Sequence, residues 1–323
     1  MRELRWLTWL PVGAITALLL LSLVAPAAAT AISVPVAVAG ALLGIPHGAI
    51  DHVVPWWWGS APAGAQTPDA AGETTARLRL FAVGYAGVAA LALTGVLVTP
   101  TSTLLVFLVL SAAHFGRGEV VTSAERAGRP LPGAAHEWPV ASAYGLVVVG
   151  LLLWSRPVST DPFLRPLSAW LADAALGSRV PGLVLVGASV VVAVALLLGS
   201  RRHRESVELM LLCATFATAP PLAAFGVYFG CWHAVRHTGR LLDLAQRRCA
   251  RTGASDVGWT PAAALLVRTA IGPTLVALVT MAVLWSARDL ASLQAEVGVL
   301  LALTFPHAGV VWALDRREST GPR

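Results

Sequence analysis

Long aliphatic runs alternate along the chain with short breaks rich in proline, glycine and arginine. The runs fall at roughly 7–28, 31–50, 79–98, 102–117, 139–154, 181–199, 206–219, 221–238, 262–286 and 292–313. A membrane-spanning helix needs about 20 mainly apolar residues, with about 17 the usual lower bound. Most runs reach that length, while 102–117 and 206–219 are marginal. Pro220-Pro221 marks either a kink within one long span or a break between two. The pattern predicts an all-α, polytopic integral membrane protein with about ten transmembrane segments, or eight or nine if some are re-entrant.

Composition points the same way. The 323 residues are 56% hydrophobic and 12% charged, whereas soluble domains carry about a quarter charged residues. The net charge of +6 is carried by arginine alone, and the arginines sit in the breaks. That distribution reads as topology, with no nucleic-acid partner. If the amino terminus is cytoplasmic and all ten segments cross, the inside gains Arg77, Arg117, Arg126, Arg129, Arg201, Arg202, Arg204, Arg240, Arg247, Arg248, Arg251, Arg316 and Arg317. The outside keeps chiefly Arg156, Arg165, Arg179 and Arg288. This bias predicts a multi-pass protein of the cell (inner or plasma) membrane with a cytoplasmic amino terminus. Fusing the seventh and eighth runs would carry the Arg240 to Arg251 loop outside and spoil the bias.

Smaller features add less. Residues 1–30 read as an uncleaved first helix, although Leu18 to Val24 followed by Ala27-Ala28-Ala29 also resembles a secretory signal. Cys213, Cys231 and Cys249 have no metal-finger spacing and read as small apolar fillers. Trp6, Trp9 and Trp56-Trp57-Trp58 lie near predicted interfaces and suit an aromatic belt. Ser60 to Glu73 reads as a flexible loop, and no repeat or soluble second domain is evident.

The candidate chemistry lies in the histidines. Six of eight sit in or at the ends of apolar runs, in the phrases Pro46-His47-Gly48-Ala49-Ile50-Asp51-His52, Ala113-His114-Phe115-Gly116, Trp232-His233-Ala234-Val235-Arg236-His237 and Phe305-Pro306-His307. An ionisable group in hydrocarbon marks a functional site by default, and neutral imidazole is the commonest ligand of iron, copper and zinc. With ten spans, all four phrases occur on segments running toward the cytoplasm and meet in the inner half of the membrane. His233 and His237, four apart, share a helix face, a spacing that suits two imidazoles on one ion. Asp51 stands four beyond His47 and would orient its ring if the helix continues past Pro46. His52 would point elsewhere, as a supporting, substrate-facing or interfacial group. His307 is either a ligand or a hydrogen-bonded core residue. Glu119 and Arg117 are an ion pair, support for the site or interface charges; Tyr228 faces either the same cavity or lipid. His136 and His203 read as solvated.

Four phrases together resemble the Brp/Blh family of integral-membrane β-carotene 15,15′-dioxygenases. They are Pro46-His47-Gly48-Ala49-x-Asp51, His114-Phe115-Gly116-x-x-Glu119, Tyr228-Phe229-x-x-x-His233-x-x-Arg236-His237 and Pro306-His307, in order over roughly residues 35–315. The resemblance implies a catalytic domain at 31–315 ahead of a cytoplasmic tail at 316–323. It implies a non-haem iron enzyme that uses O₂ to split β-carotene at its central double bond into two all-trans-retinal, often for a rhodopsin. The iron ligands it implies are His47, His114, His233 and His237, with His307 and His52 as further candidates and Asp51 and Glu119 as supporting carboxylates. Glu119 stands where the family pattern expects aspartate, and Tyr144-Gly145 where some members have His-Gly. The first run extends beyond the shortest members. Two other readings stay open: a di-iron membrane hydroxylase or desaturase, weakened by the lack of a His-His dipeptide, and a histidine-lined transporter, weakened by the few acidic residues in the runs.

Overall fold

The computed structural model describes residues 6–57, 68–251, 258–287 and 290–320. The described residues form helices joined by short links, with no strand among them. In order these are α1 (Trp6–Val24), α2 (Pro26–Ala31), α3 (Ser33–Gly48), α4 (Val54–Trp57), α5 (Pro68–Val98), α6 (Pro100–Ala127) and α7 (Ala134–Gly145), then a π-helical turn at Leu146–Gly150. There follow α8 (Leu151–Trp154), α9 (Pro157–Leu164), α10 (Ala169–Gly177), α11 (Arg179–Gly199), α12 (His203–Thr218), α13 (Pro221–Val227), a second π-helical turn at Tyr228–His233, α14 (Ala234–Arg251), α15 (Trp259–Ala287) and α16 (Leu290–Thr320). Proline opens α2, α5, α6, α9 and α13, the position where its missing N–H and fixed φ are harmless. Ser168 caps α10, its hydroxyl accepting from the Leu171 N–H at 3.1 Å.

Among the described residues, six helical stretches are long and apolar enough to cross a membrane: Ala76–Val98, Pro100–Ala127, Ala134–Trp154, Arg179–Gly199, Trp259–Thr280 and Gly298–Arg316. Thr8–Val24 and Ser33–Gly48 are shorter apolar helices. The protein is thus an all-helical membrane protein. Runs 206–219 and 221–238 are also helical, but their helices carry the buried charges Glu205, Glu208, Arg236 and Arg240. The run at 102–117 belongs to a helix of 28 residues, because the charged residues beyond His114 continue the helix. The loop expected at Ser60 to Glu73 is helical from Pro68 onward, and its earlier part lies outside the described residues. Helices α9 and α10 occupy a break in which no element was expected.

The chain divides into two compact units, Met1–Gly44 with Pro100–His237, and Ile45–Thr99 with Thr238–Arg323. The first is built on close backbone approaches. A Cβ on Gly116 of α6 would strike the Ala141 carbonyl of α7, and one on Gly145 would strike the Ala112 carbonyl. Small residues four apart on both helices permit this fit. Gly40 of α3 lies against Gly226 in the same way. Helix α1 packs on α12 and on the second π turn, with Ile15 fully buried and the Thr8 hydroxyl accepting from Arg126 at 2.7 Å.

The second unit packs α16 along α5, α15 and α4. Its core joins Ile50, Val54 and Trp57 to Leu241, Leu244 and Leu314, with Phe81 and Tyr85 beside them. Trp57 is therefore a core residue, while Trp9 is exposed as an aromatic belt requires. The side chains of Trp6 and Trp56, and all of Trp58, lie outside the described residues. Val267, Ile271, Leu275 and Val279 form an exposed stripe on α15, as a lipid-facing side does. The three cysteines are half-buried and form no disulfide with one another.

Two helix ends in the first unit share one device. At the end of α6, the Arg129 N–H bonds the Ala124 carbonyl and the Gly128 N–H the Glu125 carbonyl; at the end of α11, Arg202 and Arg201 do the same to Leu197 and Leu198. Both are Schellman caps, whose left-handed residue is normally glycine. Gly128 (φ 62°) follows the rule, and Arg201 (φ 56°) breaks it, at a cost of about 1 kcal/mol.

Candidate functional site

In the second unit, α3 ends at Gly48 and the chain turns through Ala49–Val53, with the Asp51 N–H bonding the Gly48 carbonyl at 3.2 Å and the Val53 N–H the Ile50 carbonyl at 2.9 Å. Pro46 lies in the last turn of this helix. Because the helix stops there, Asp51 is not placed one turn along from His47 as expected. It bonds instead with His307 Nδ1 at 2.9 Å and accepts from the Tyr85 hydroxyl at 3.0 Å. The His307 ring stands edge-on to that of His47, with centroids 5.0 Å apart. His47, Asp51 and His307 are all buried. His52 is half-buried, with its Nδ1 3.1 Å from the Ala49 carbonyl. In the same unit, Arg240 and Asp315 form a buried pair at 2.7 Å.

In the first unit, the second π turn runs directly into α14 and carries two side-chain stripes. Phe229, His233 and His237 stack in one ladder, with centroids 6.2 and 6.3 Å apart and planes within 14° and 3°. His114 of α6 meets His233 edge-on at 5.1 Å, and the Phe115 ring meets His233 at 4.9 Å. His233 and His237 are buried, and His114 is half-buried.

The second stripe, Tyr228, Trp232 and Arg236, grips Glu119. The carboxylate accepts from Tyr228 Oη at 3.3 Å, Trp232 Nε1 at 3.0 Å and Arg236 at 2.6 Å. Arg236 also pairs with Glu208 at 2.9 Å and lies over the Trp232 ring at 3.8 Å. Two buried carboxylates thus flank one buried guanidinium, a pairing that keeps each charge tolerable away from water. Arg117 pairs with Glu137 at 3.0 Å, so the ion-pair partner of Glu119 is Arg236. Tyr144 donates to the Glu205 carbonyl at 2.8 Å and thereby stitches α7 to α12. Of the two solvated histidines, His203 is exposed, whereas His136 is half-buried with its Nδ1 3.5 Å from Ser200 Oγ.

The sequence reading did not single out Tyr85, Trp232 or Glu208. The spacing of Tyr228, Trp232 and Arg236 at i, i+4 and i+8 was the signal available for one buried acceptor. Nothing local marked Tyr85, which lies 34 residues from Asp51.

Residues 38–315 match the family described as beta-carotene 15,15′-dioxygenase. The chain belongs to that family. The match to this β-carotene 15,15′-dioxygenase family includes all six histidines of the polar phrases, while α1 lies outside it. The chain is therefore a carotenoid-cleaving dioxygenase by family, as its four phrases indicated. A curated relative from Halobacterium salinarum, described as probable beta-carotene 15,15′-dioxygenase Blh, is 28% identical over 306 residues, covering 89% of this chain and 85% of that protein. No solved structure matches the chain.

Proposed function

We propose that this protein is a multi-pass enzyme of the cell membrane that cleaves β-carotene at the 15,15′ double bond with O₂, giving two all-trans-retinal. One β-carotene and one O₂ balance two retinal molecules, so the reaction needs no outside reductant. The observation that carries the reading is that each unit buries histidines beside a carboxylate-centred network, within the segments shared with the family.

We assign one ferrous ion to His47, His114, His233 and His237, with His307 as a further candidate ligand. The donor chemistry fits. The histidines are packed among buried or half-buried apolar neighbours, and the nearby carboxylates already serve histidine, tyrosine, tryptophan and arginine donors. Iron held by these neutral imidazoles would supply O₂ activation. The protein's own residues do the rest. Asp51 accepts a hydrogen bond from His307 Nδ1, which sets that ring's tautomer and orientation. Glu119 holds the stripe of Tyr228, Trp232 and Arg236, and so fixes the turn that carries His233. Phe225 and Phe229, stacked at 5.7 Å beside His233, offer an apolar wall suited to a polyene entering from lipid. A rhodopsin is the fitting consumer of the product.

The test is expression of the full chain in bacterial cells that accumulate β-carotene, with retinal followed by chromatography and iron measured on the purified protein. Retinal should form with one iron per chain, and both should fall to background in His233→Ala and His237→Ala. Hydroxylated C40 carotenoid, unbleached pigment or two irons per chain would overturn the reading, the last in favour of a di-iron hydroxylase.

A further inference from the structure

A second polar feature of the first unit lies apart from the buried histidines, with only the exposed His203 at its edge. At the ends of α6 and α11 and the start of α12 a cavity of about 250 Å³ is lined by Arg126, Arg129, Arg201, Arg204, Glu205 and Glu208. The four guanidinium groups outnumber the two carboxylates, and the carboxylates are already engaged. Glu208 is held by Arg204 at 3.0 Å, Arg236 at 2.9 Å and Arg126 at 3.8 Å. Glu205 pairs with Arg129. Arg201 is exposed, and no ion pair of its own is found among the described residues.

Two facts indicate that this positive excess has a use. Arg201 occupies the left-handed position of the α11 cap, where the matching cap of α6 has Gly128. A strained residue persists where something other than local stability holds it there. The cavity also lies where two membrane-length helices end, Pro100–Ala127 and Arg179–Gly199. The end of a membrane-length helix is the depth of phospholipid headgroups, and basic pockets at that depth bind anionic ones.

We propose that this cavity binds the phosphate group of an anionic phospholipid, with Arg201 and Arg204 as its principal contacts. The inference is independent of the carotenoid reaction.

The test is native mass spectrometry and thermal melting of the purified full chain, with phosphatidylglycerol, phosphatidylcholine or inorganic phosphate added. The wild-type chain should retain one phosphatidylglycerol in preference to phosphatidylcholine and melt at a higher temperature with it. Arg201→Gly should bind phosphatidylglycerol about fivefold more weakly, the expected contribution of one arginine near a charged surface. It should nevertheless melt no lower than wild type in phosphatidylcholine, because glycine suits the left-handed position. A purely structural role for Arg201 would give the opposite melting result and overturn the proposal. Absence of any phosphatidylglycerol preference, or its full retention in Arg201→Gly, would overturn it as well. Equal protection by inorganic phosphate alone would overturn the lipid assignment in favour of a solute.

Discussion

Asp51 serves two donors of different kinds, a histidine ring nitrogen and a tyrosine hydroxyl, from a turn just beyond a broken helix. Carboxylates that orient ligating histidines typically contribute about 10–100-fold to metal affinity or activity. Asp51→Asn should therefore lower iron retention against a chelator, and retinal formation, by about that factor. Tyr85→Phe should do less, because it leaves the carboxylate in place. Unchanged iron retention in Asp51→Asn would remove Asp51 from the site. Sequence spacing marked His233 and His237 correctly as a pair on one face, since four residues bring side chains together in any helical turn. It misassigned the partner of Asp51, because an i, i+4 argument holds only while the helix lasts, and α3 stops at Gly48. The bond to His307 spans 256 residues, a distance over which no local pattern carries information.

At the scale of elements, glycine separates two situations that look alike in sequence. Gly145 faces the Ala112 carbonyl, whereas a Cβ on Gly84 of α5 would meet nothing within 4 Å. Gly145→Ala must push α7 away from α6 and should destabilise the protein by about 1–3 kcal/mol, the usual cost of overpacking. Gly84→Ala should instead stabilise it by about 0.5–1 kcal/mol through helix propensity. Melting temperatures of the two variants in one detergent check the contrast, and equal shifts would mean that α6 and α7 do not approach as closely as described. Both glycines lie in apolar runs, so only their neighbours distinguish them. The π turns were equally hidden, since no residue type demands an extra residue in a turn. The turn at Tyr228–His233 carries Phe229 and His233, whose rings continue as one ladder to His237 in α14.

At the scale of the whole molecule, arginine placement makes a statement about topology that labelling can check. In a chain with all three native cysteines replaced, Ser200→Cys and Arg247→Cys should react with a membrane-impermeant thiol reagent from the cytoplasmic side, and Ser159→Cys from the other. Labelling of Ser200→Cys and Arg247→Cys from opposite sides would fuse runs 206–219 and 221–238 into one crossing and end the ten-segment reading. By itself, the sequence determined the class of the protein, its long apolar helices and the family, because apolar length and the four histidine phrases are local properties. Tertiary structure alone decided how the buried charges are matched: Asp51 with His307 and Tyr85, Glu119 with Arg236, and Arg236 with Glu208. The physical reason is that a charge removed from water must find a partner wherever packing supplies one. Here packing supplies it from helices far apart in the chain. The same distinction sharpens the histidines, whose residue type suggested a metal while their orienting partners came only with the fold.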